Sequence, residues 1–300
     1  MRRLTVLAGA GLAAACVAPE QPAPAPAPDP APVAVLRSVA PPAPPPAGPA
    51  AFFYQGELTQ GGWIRGQVPA GTISAHLGEQ PLAIAPDGSF FAAFDRDAGP
   101  QTVLSAALAG GRRIDSPLDV SPRAWNIEHI NASPTANVPS AEFTRRRQPE
   151  LARIVAAKSK DTGSQGWRQS FVWPATGRIS GRFGSQRVYR GEPGSYHTGI
   201  DIAGSGGTPY VAPADGVVVL AAEAPFTLEG NLLIIDHGMG LSSAFLHSSE
   251  LLVSEGETVR QGQTIGRIGA TGRATGPHLH WGLTWRGARL DPLLFTGPMP

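Results

Sequence analysis

Cysteine is nearly absent from this sequence, since the 300-residue chain has only Cys16. A single thiol cannot form an internal disulfide, so the fold must rely on its core. Charge is also scarce and balanced, with 16% charged residues and a net charge of +1. The longest basic run is the three arginines at 145–147. This pattern gives no reason to expect a nucleic-acid partner.

The first residues are typical of an export signal. Two arginines follow Met1, and an apolar run then covers residues 4–15, too short to span a bilayer as a resident helix. The end of this run resembles a bacterial lipoprotein signal, in which the cysteine is lipidated, although Leu12 stands four residues before Cys16 rather than three. The alternative is ordinary cleavage near Ala18. We predict a signal at residues 1–18 with Cys16 lipidated.

Residues 19–49 are almost wholly proline and alanine, too poor in large apolar groups to fold. We predict a disordered tether that could reach on the order of 90 Å as a polyproline II helix. The tether and the signal together predict an exported protein in the periplasm, attached by its lipid alone. Val17 is not the aspartate of an inner-membrane retention signal, which favours the outer membrane.

Residues 50–130 alternate short apolar runs with turn residues. Asp87-Gly88 predicts a hairpin turn between strands at 82–86 and 89–94. We expect a small antiparallel β domain with a positioning or spacer role. Its predicted core residues are Phe52, Trp63, Leu77, Ile84, Phe90 and Phe94.

Residues 131–170 read as a connector with one short helix. Pro149 suits the first turn of a helix, and an apolar stripe of Leu151, Ile154 and Val155 leads to a terminal charge at Lys158.

Chemistry-bearing side chains concentrate in the last part of the chain. His197 and Asp201 are separated by Gly199, and the surrounding β-branched residues and glycines disfavour a helix. In a straight strand, positions four apart lie roughly 13 Å from each other, too far to share an ion. We therefore expect the chain to bend at Gly199.

Three further histidines follow this pair. His278 and His280 alternate with apolar residues, which places both imidazoles on one strand face, and His247 stands alone. Two imidazoles and one carboxylate are typical of catalytic zinc with one position left for water. Spacing alone does not rank His247, His278 and His280 as ligands or as proton carriers.

Four ordered motifs lie between about Trp173 and Phe295. They are His197-x-Gly-x-Asp201, the stretch 231–238 ending in Ile-Asp-His-Gly, Gln-Gly-Gln-Thr-Ile-Gly at 261–266, and Thr-Gly-Pro-His-Leu-His at 275–280. Together they resemble the motifs of the lysostaphin-type (LytM) zinc metallopeptidases, which cut peptide bridges of bacterial peptidoglycan. One departure is Phe245, where the family often has tyrosine.

The resemblance implies that His197, Asp201 and His280 bind one zinc ion per chain, and that His247 and His278 flank the reacting bond. It also implies a LytM-type β-sandwich or barrel-sandwich domain, which we place at residues 171–297. The fold class predicted for the whole chain is mainly β.

Other candidates in the chain have simpler interpretations. We interpret His76 and His129 as surface or structural residues and His237 as structural. Tyr189 or Tyr196 could add a hydroxyl at an oxyanion, but we favour the interpretation that both are surface tyrosines. Residues 254–266 also resemble the hairpin of biotinyl and lipoyl carriers. Those carriers need an exposed lysine, and residues 171–297 contain none.

The function predicted is a zinc-dependent endopeptidase that hydrolyses peptidoglycan cross-links, with peptide stems as its partners. The alternative is a non-catalytic activator of cell-wall amidases or a peptidoglycan-binding module. Retention of all five site residues favours the enzyme. The bond cut, the oligomeric state and the division of roles between His247 and His278 stay open.

Overall fold

The computed structural model describes residues 48–133, 140–222 and 224–300. The predicted signal, Cys16 and nearly all of the predicted tether lie outside these residues. Among the described residues, no helix has both the length and the apolar character needed to cross a membrane.

The chain is mainly β, as predicted. Its N-terminal part has a three-stranded sheet in the order β1-β2-β5, a four-stranded sheet in the order β4-β3-β6-β7, and β8, which pairs with a later strand. The strands are β1 (Phe53–Gly56), β2 (Trp63–Gln67), β3 (Thr72–Leu77), β4 (Gln80–Pro81), β5 (Ser89–Ala93), β6 (Gln101–Leu108), β7 (Arg113–Asp119) and β8 (Ile127–Ile130).

The hairpin predicted around Asp87-Gly88 forms only in part. The turn is present and β5 follows it, but residues 82–85 belong to no strand. Their backbone bonds are irregular, since the Leu82 N–H donates to Ala75 and the Ala85 N–H to Ser89. Of the predicted core, Leu77, Phe90 and Phe94 are buried, and the other members are partly buried.

The connector contains α1 (Ala141–Lys158), which begins earlier than predicted. Ser140 is its N-cap, with the side-chain oxygen accepting from the Phe143 N–H. Pro149 therefore lies inside the helix, and its expected place in the first turn was wrong.

The C-terminal part is built on an eight-stranded sheet in the order β18-β14-β15-β16-β20-β12-β9, with β21 paired to β20. Two small sheets, β13-β19-β17 and β11-β10-β8, flank it. The strands are β9 (Ile179–Gly181), β10 (Gln186–Tyr189), β11 (Glu192–Pro193), β12 (Ile200–Ala203), β13 (Pro209–Val211), β14 (Gly216–Ala221), β15 (Asn231–Gly238), β16 (Leu241–Ser248), β17 (Glu250–Leu251), β18 (Thr258–Val259), β19 (Thr264–Arg267), β20 (His278–Trp285) and β21 (Ala288–Leu290); the 3₁₀ helices are Gly166–Arg168 and Pro292–Leu294.

One hydrophobic cluster joins the N-terminal sheets to the C-terminal sheet. The Trp63 ring lies 5.3 Å from Phe295, and Phe91 lies 6.4 Å from Trp285. The Trp63 indole N–H also donates to the Leu294 carbonyl at 2.8 Å. The boundaries predicted between residues 50–130, 131–170 and 171–297 stay predictions, and the parts share a core.

Candidate metal centre

Strand pairing brings Asp201 and His280 together. β12 runs antiparallel to β20, and these two residues are direct cross-strand partners. Directly opposite side chains on one face lie about 5 Å apart at Cβ. Their neighbours Ile202 and Leu279 point the other way and are fully buried. The apolar face therefore anchors both strands while the polar face carries the two candidate ligands.

His197 reaches the same place from a bend that precedes β12, as predicted for Gly199. A Cβ at Gly199 would lie 2.4 Å from the Trp281 carbonyl oxygen and 2.8 Å from the His280 Nε2 atom. A side chain there would collide with β20. The absence of one lets the chain pass close enough for His197 to join the cross-strand pair.

Three ligand atoms converge at this point. Asp201 Oδ1 lies 2.9 Å from His280 Nδ1 and 3.1 Å from His197 Nε2, and the two nitrogens are 3.1 Å apart. Two imidazole nitrogens and one carboxylate oxygen form the donor set of catalytic zinc. His197 Nδ1 lies 3.1 Å from the Arg182 carbonyl oxygen, and donation to that oxygen leaves Nε2 unprotonated. The residues therefore fit a zinc ion.

The electrostatics of the cluster suit cation binding. Burial tends to raise the pKa of Asp201, but hydrogen bonds from His197 and His280 outweigh it and hold that pKa well below its usual range. Burial lowers the pKa of His280. Burial also tends to lower the pKa of His197, but Asp201 reverses this and raises it. A metal must displace protons from its ligands, and an ionised carboxylate with a neutral His280 favours this.

His247 and His278 lie beside the cluster with their rings 5.0 Å apart. His247 Nδ1 lies 2.8 Å from the Thr271 carbonyl oxygen, and His278 Nδ1 lies 2.9 Å from that of Gly276. Each Nδ1–H can donate there, leaving Nε2 free. The His278 Nε2 atom is 3.7 Å from Asp201 Oδ1.

His247 has an unusual backbone conformation. Its φ of 66° lies in the left-handed region that non-glycine residues rarely adopt. Such strain concentrates at functional sites, where surrounding structure maintains it. Here the His247 N–H donates to the backbone carbonyl oxygen of Glu229 at 2.8 Å.

The other predicted residues lie away from the cluster or pack around it. The Tyr196 ring lies under the Arg96 guanidinium at 4.6 Å, and Tyr189 ends β10. His237 is fully buried, with Nδ1 2.8 Å from the Asp215 carbonyl oxygen and Nε2 2.7 Å from Ser243 Oγ. His76 and His129 lie on β3 and β8 in the N-terminal part.

Sequence reasoning missed the charged side chains of the neighbouring groove. Arg147 and Lys158 on α1 line a cavity together with Glu229, Arg289 and His280. The sequence pattern of residues 131–170 predicted only a connector with a short helix, and it did not indicate that α1 lies beside the site. The spacing of Arg147, Leu151, Ile154 and Lys158 along one helix face was the available signal.

Residues 195–292 match the model of Peptidase family M23 and form a domain of that family. Over 126 residues, 41% of this chain, the sequence is 40% identical to the peptidoglycan DD-endopeptidase ShyA of Vibrio cholerae, covering 28% of that protein. It is 35% identical over 165 residues to the murein hydrolase activator NlpD of Escherichia coli, covering 55% of this chain and 40% of NlpD. The chain thus spans well under two thirds of either relative.

Structural similarity to a known protein extends over more of this chain than the sequence matches do. A solved structure from Pseudomonas aeruginosa, assigned to peptidase M23, is similar with a TM-score of 0.60 and 25% identity, covering 81% of this chain and 96% of that one. The similarity therefore includes much of the N-terminal part.

Proposed function

We propose, from the M23 peptidase domain at residues 195–292, that this protein is a zinc-dependent endopeptidase hydrolysing peptide cross-links of bacterial peptidoglycan. The observation that carries the proposal is the convergence of His197, Asp201 and His280 within 4.8 Å. His247 and His278 stand beside them with one ring nitrogen each free. A chain that only bound wall peptides would not need these five side chains together.

His197, Asp201 and His280 would hold the zinc ion. Zinc in such a site acts as a Lewis acid that makes water more acidic and polarises the scissile carbonyl. His247 and His278 would manage protons and developing negative charge at Nε2, because a neutral imidazole can accept a proton there and a protonated one can donate. The carbonyls of Thr271 and Gly276 would fix the orientation of these two rings.

The substrate class follows from the relatives by analogy. ShyA is a peptidoglycan DD-endopeptidase, and we extend that substrate to this chain. The bond we propose joins D-alanine to diaminopimelate of the neighbouring stem.

NlpD, a murein hydrolase activator, supports a second candidate function. An activator would bind and stimulate a separate amidase without hydrolysing peptide bonds. The five retained side chains favour the enzyme.

The deciding experiment incubates purified, zinc-loaded protein with cross-linked sacculi and identifies the released muropeptides by mass spectrometry. We expect loss of cross-linked dimers and gain of uncross-linked stems, with Asp201→Ala prepared identically as the inactive control. Release that requires an added amidase, and that Asp201→Ala supports equally well, would identify the activator.

We also propose that the protein works in the periplasm, lipid-anchored to the outer membrane through Cys16. Residues 19–49 would let the folded part reach a wall some distance from the membrane. The motivation is the signal-like run at residues 4–15 and the proline-rich stretch behind it.

A further inference from the structure

A groove leads away from the metal centre between α1 and the main sheet. Its floor on β20 is formed by alternate residues, His280, Gly282 and Thr284, and α1 forms one wall. The open space within it is about 200 Å³. Gly282 has no side chain, which keeps the floor low between the metal ligand and Thr284.

The groove carries more positive than negative charge. Among the residues that the structure describes, Arg147, Lys158 and Arg289 line it, against the single carboxylate of Glu229. Glu229 is already engaged, because its two oxygens accept from the two terminal nitrogens of Arg147, each at 2.6 Å. The Glu229 carboxylate is therefore not available as an ion-pair partner for Lys158 or Arg289.

Both of these cations line the groove. Arg289 on β21 is the direct cross-strand partner of Thr284. Lys158 is the last residue of α1. Within residues 48–133, 140–222 and 224–300, neither side chain forms an ion pair, and the Arg289 guanidinium lies 5.5 Å from the Tyr196 ring centroid.

Lys158 is unusual for this chain. It and Lys160 are the only lysines in the sequence, and Lys160 is paired with Glu255 at 2.6 Å. Burial and the charge of Arg289 lower the pKa of Lys158 to about 8, with Glu229 opposing them. Lys158 is half-buried, and with Glu229 already bound to Arg147 its ammonium beside a guanidinium is unfavourable unless a further anion is present. A bound carboxylate would remove that cost.

We propose that Lys158 and Arg289 bind a free carboxylate of the peptide substrate at the end of the groove away from the metal ligands. This rests on the proposed function and names the feature of the substrate that the site selects. From His280 to Thr284 the floor extends roughly 13 Å, the length of about four extended residues. A cross-linked stem dimer, with carboxylates on diaminopimelate and at its D-alanine end, has charges at such distances from the reacting bond.

The test compares two soluble substrates with the same scissile bond, a cross-linked stem dimer with free carboxylates and the same dimer with its carboxylates amidated. From the usual strength of hydrogen bonds to charged groups, we expect wild-type kcat/KM to be about 10- to 100-fold higher for the dimer with free carboxylates than for the amidated dimer. Lys158→Met and Arg289→Ala should each reduce this preference by about 10-fold, through KM. Both variants should cleave the amidated dimer with the same kcat/KM as wild type. Arg146→Ala, which removes an exposed cation from the same helix, should change neither substrate.

Equal losses on both dimers, or an unchanged preference in both variants, would overturn the assignment. Faster cleavage of both dimers by Lys158→Met would also overturn it, because α1 would then be obstructing the groove. Calorimetric titration of the same two dimers separates this proposal from the proposed function. If wild type cleaves neither dimer yet binds the free one more tightly, and Lys158→Met loses that preference, the carboxylate site stands while the peptidase fails.

Discussion

Asp201 and His280 face each other across β12 and β20, with Asp201 Oδ1 2.9 Å from His280 Nδ1. The contact joins residues 79 positions apart in the chain. It also makes the carboxylate a shared neighbour, because His197 Nε2 lies 3.1 Å from the same oxygen. Loss of any one of the three groups should therefore disturb the other two.

The first prediction separates ligands from proton carriers. His197→Ala, Asp201→Ala and His280→Ala should each weaken zinc binding and abolish hydrolysis, because each leaves only two of the three donors. His247→Ala and His278→Ala should keep zinc near one per chain while the rate falls about 10²- to 10⁴-fold, the usual acid-base contribution. Metal analysis beside turnover on each purified variant measures both. Zinc loss in His278→Ala with retention in His280→Ala would invert the assignment on β20.

The second prediction concerns the anchor. Cys16→Ala should move the protein from the membrane fraction to the soluble envelope fraction, because a lipid could no longer be attached. Fractionation with mass spectrometry of the mature N-terminus measures this. A wild-type protein that is itself soluble and begins after Ala18 would exclude lipidation.

The third prediction concerns the shared core. Phe91 is 2% exposed and lies 6.1 to 6.4 Å from the rings of Trp63, Trp285 and Phe295. Phe91→Ala should lower the free energy of unfolding by about 3–5 kcal/mol, with the N-terminal and C-terminal parts unfolding together. Phe53→Ala, where the side chain is 67% exposed, should cost no more than about 0.5 kcal/mol. Urea unfolding followed by tryptophan fluorescence and by circular dichroism compares them. Two separate transitions in wild type would contradict a common core.

Much of this architecture could be predicted from residues alone. Alternation placed His278 and His280 on one strand face, and Gly199 indicated the bend before Asp201. Pairing between strands far apart in sequence has no local signal, so the choice of His280 as ligand came from resemblance to a family. The place of α1 also depends on tertiary contacts, such as the Arg147–Glu229 pair, and a connector pattern cannot reveal these.

The fourth prediction concerns acid stability. Burial lowers the pKa of His237 from 6.5 to about 4. Smaller effects raise that pKa, led by the hydrogen bond to the backbone carbonyl of Asp215. The folded state therefore disfavours protonation that the unfolded state accepts. The stability that comes from keeping His237 buried and neutral is fully present above pH 6.5 and is lost as the pH falls from 6.5 toward 4. Between pH 7.5 and pH 5 this loss should lower the free energy of unfolding by about 2 kcal/mol.

His237→Gln should show a correspondingly smaller loss over that range, even if its stability at pH 7.5 is already reduced. His129→Gln, at an exposed position, is the matched control variant. Urea unfolding at several pH values, with chelator present throughout, measures the slopes. An equal slope in wild type and His237→Gln would assign the acid sensitivity to other groups.

The fifth prediction gives the N-terminal part a role in zinc binding. Arg96 is 6% exposed, and its guanidinium lies 5.2 Å from the Trp125 ring and 4.6 Å from the Tyr196 ring. It donates to the Gly184 carbonyl at 3.0 Å, and the Gly184 N–H donates to the His197 carbonyl at 2.9 Å. Arg96 therefore holds the segment that presents His197, the first candidate ligand.

Arg96→Ala should weaken zinc affinity about 10-fold, the low end of losses seen when outer partners of metal ligands are removed. Arg96→Lys should restore little, because one ammonium cannot replace a planar guanidinium placed against two rings. Arg113→Ala, which breaks an exposed pair with Asp115, is the matched control. Competition with a chelator measures affinity, and urea unfolding measures stability in parallel. If Arg96→Ala loses stability but binds zinc as tightly as wild type, Arg96 supports the fold without positioning His197.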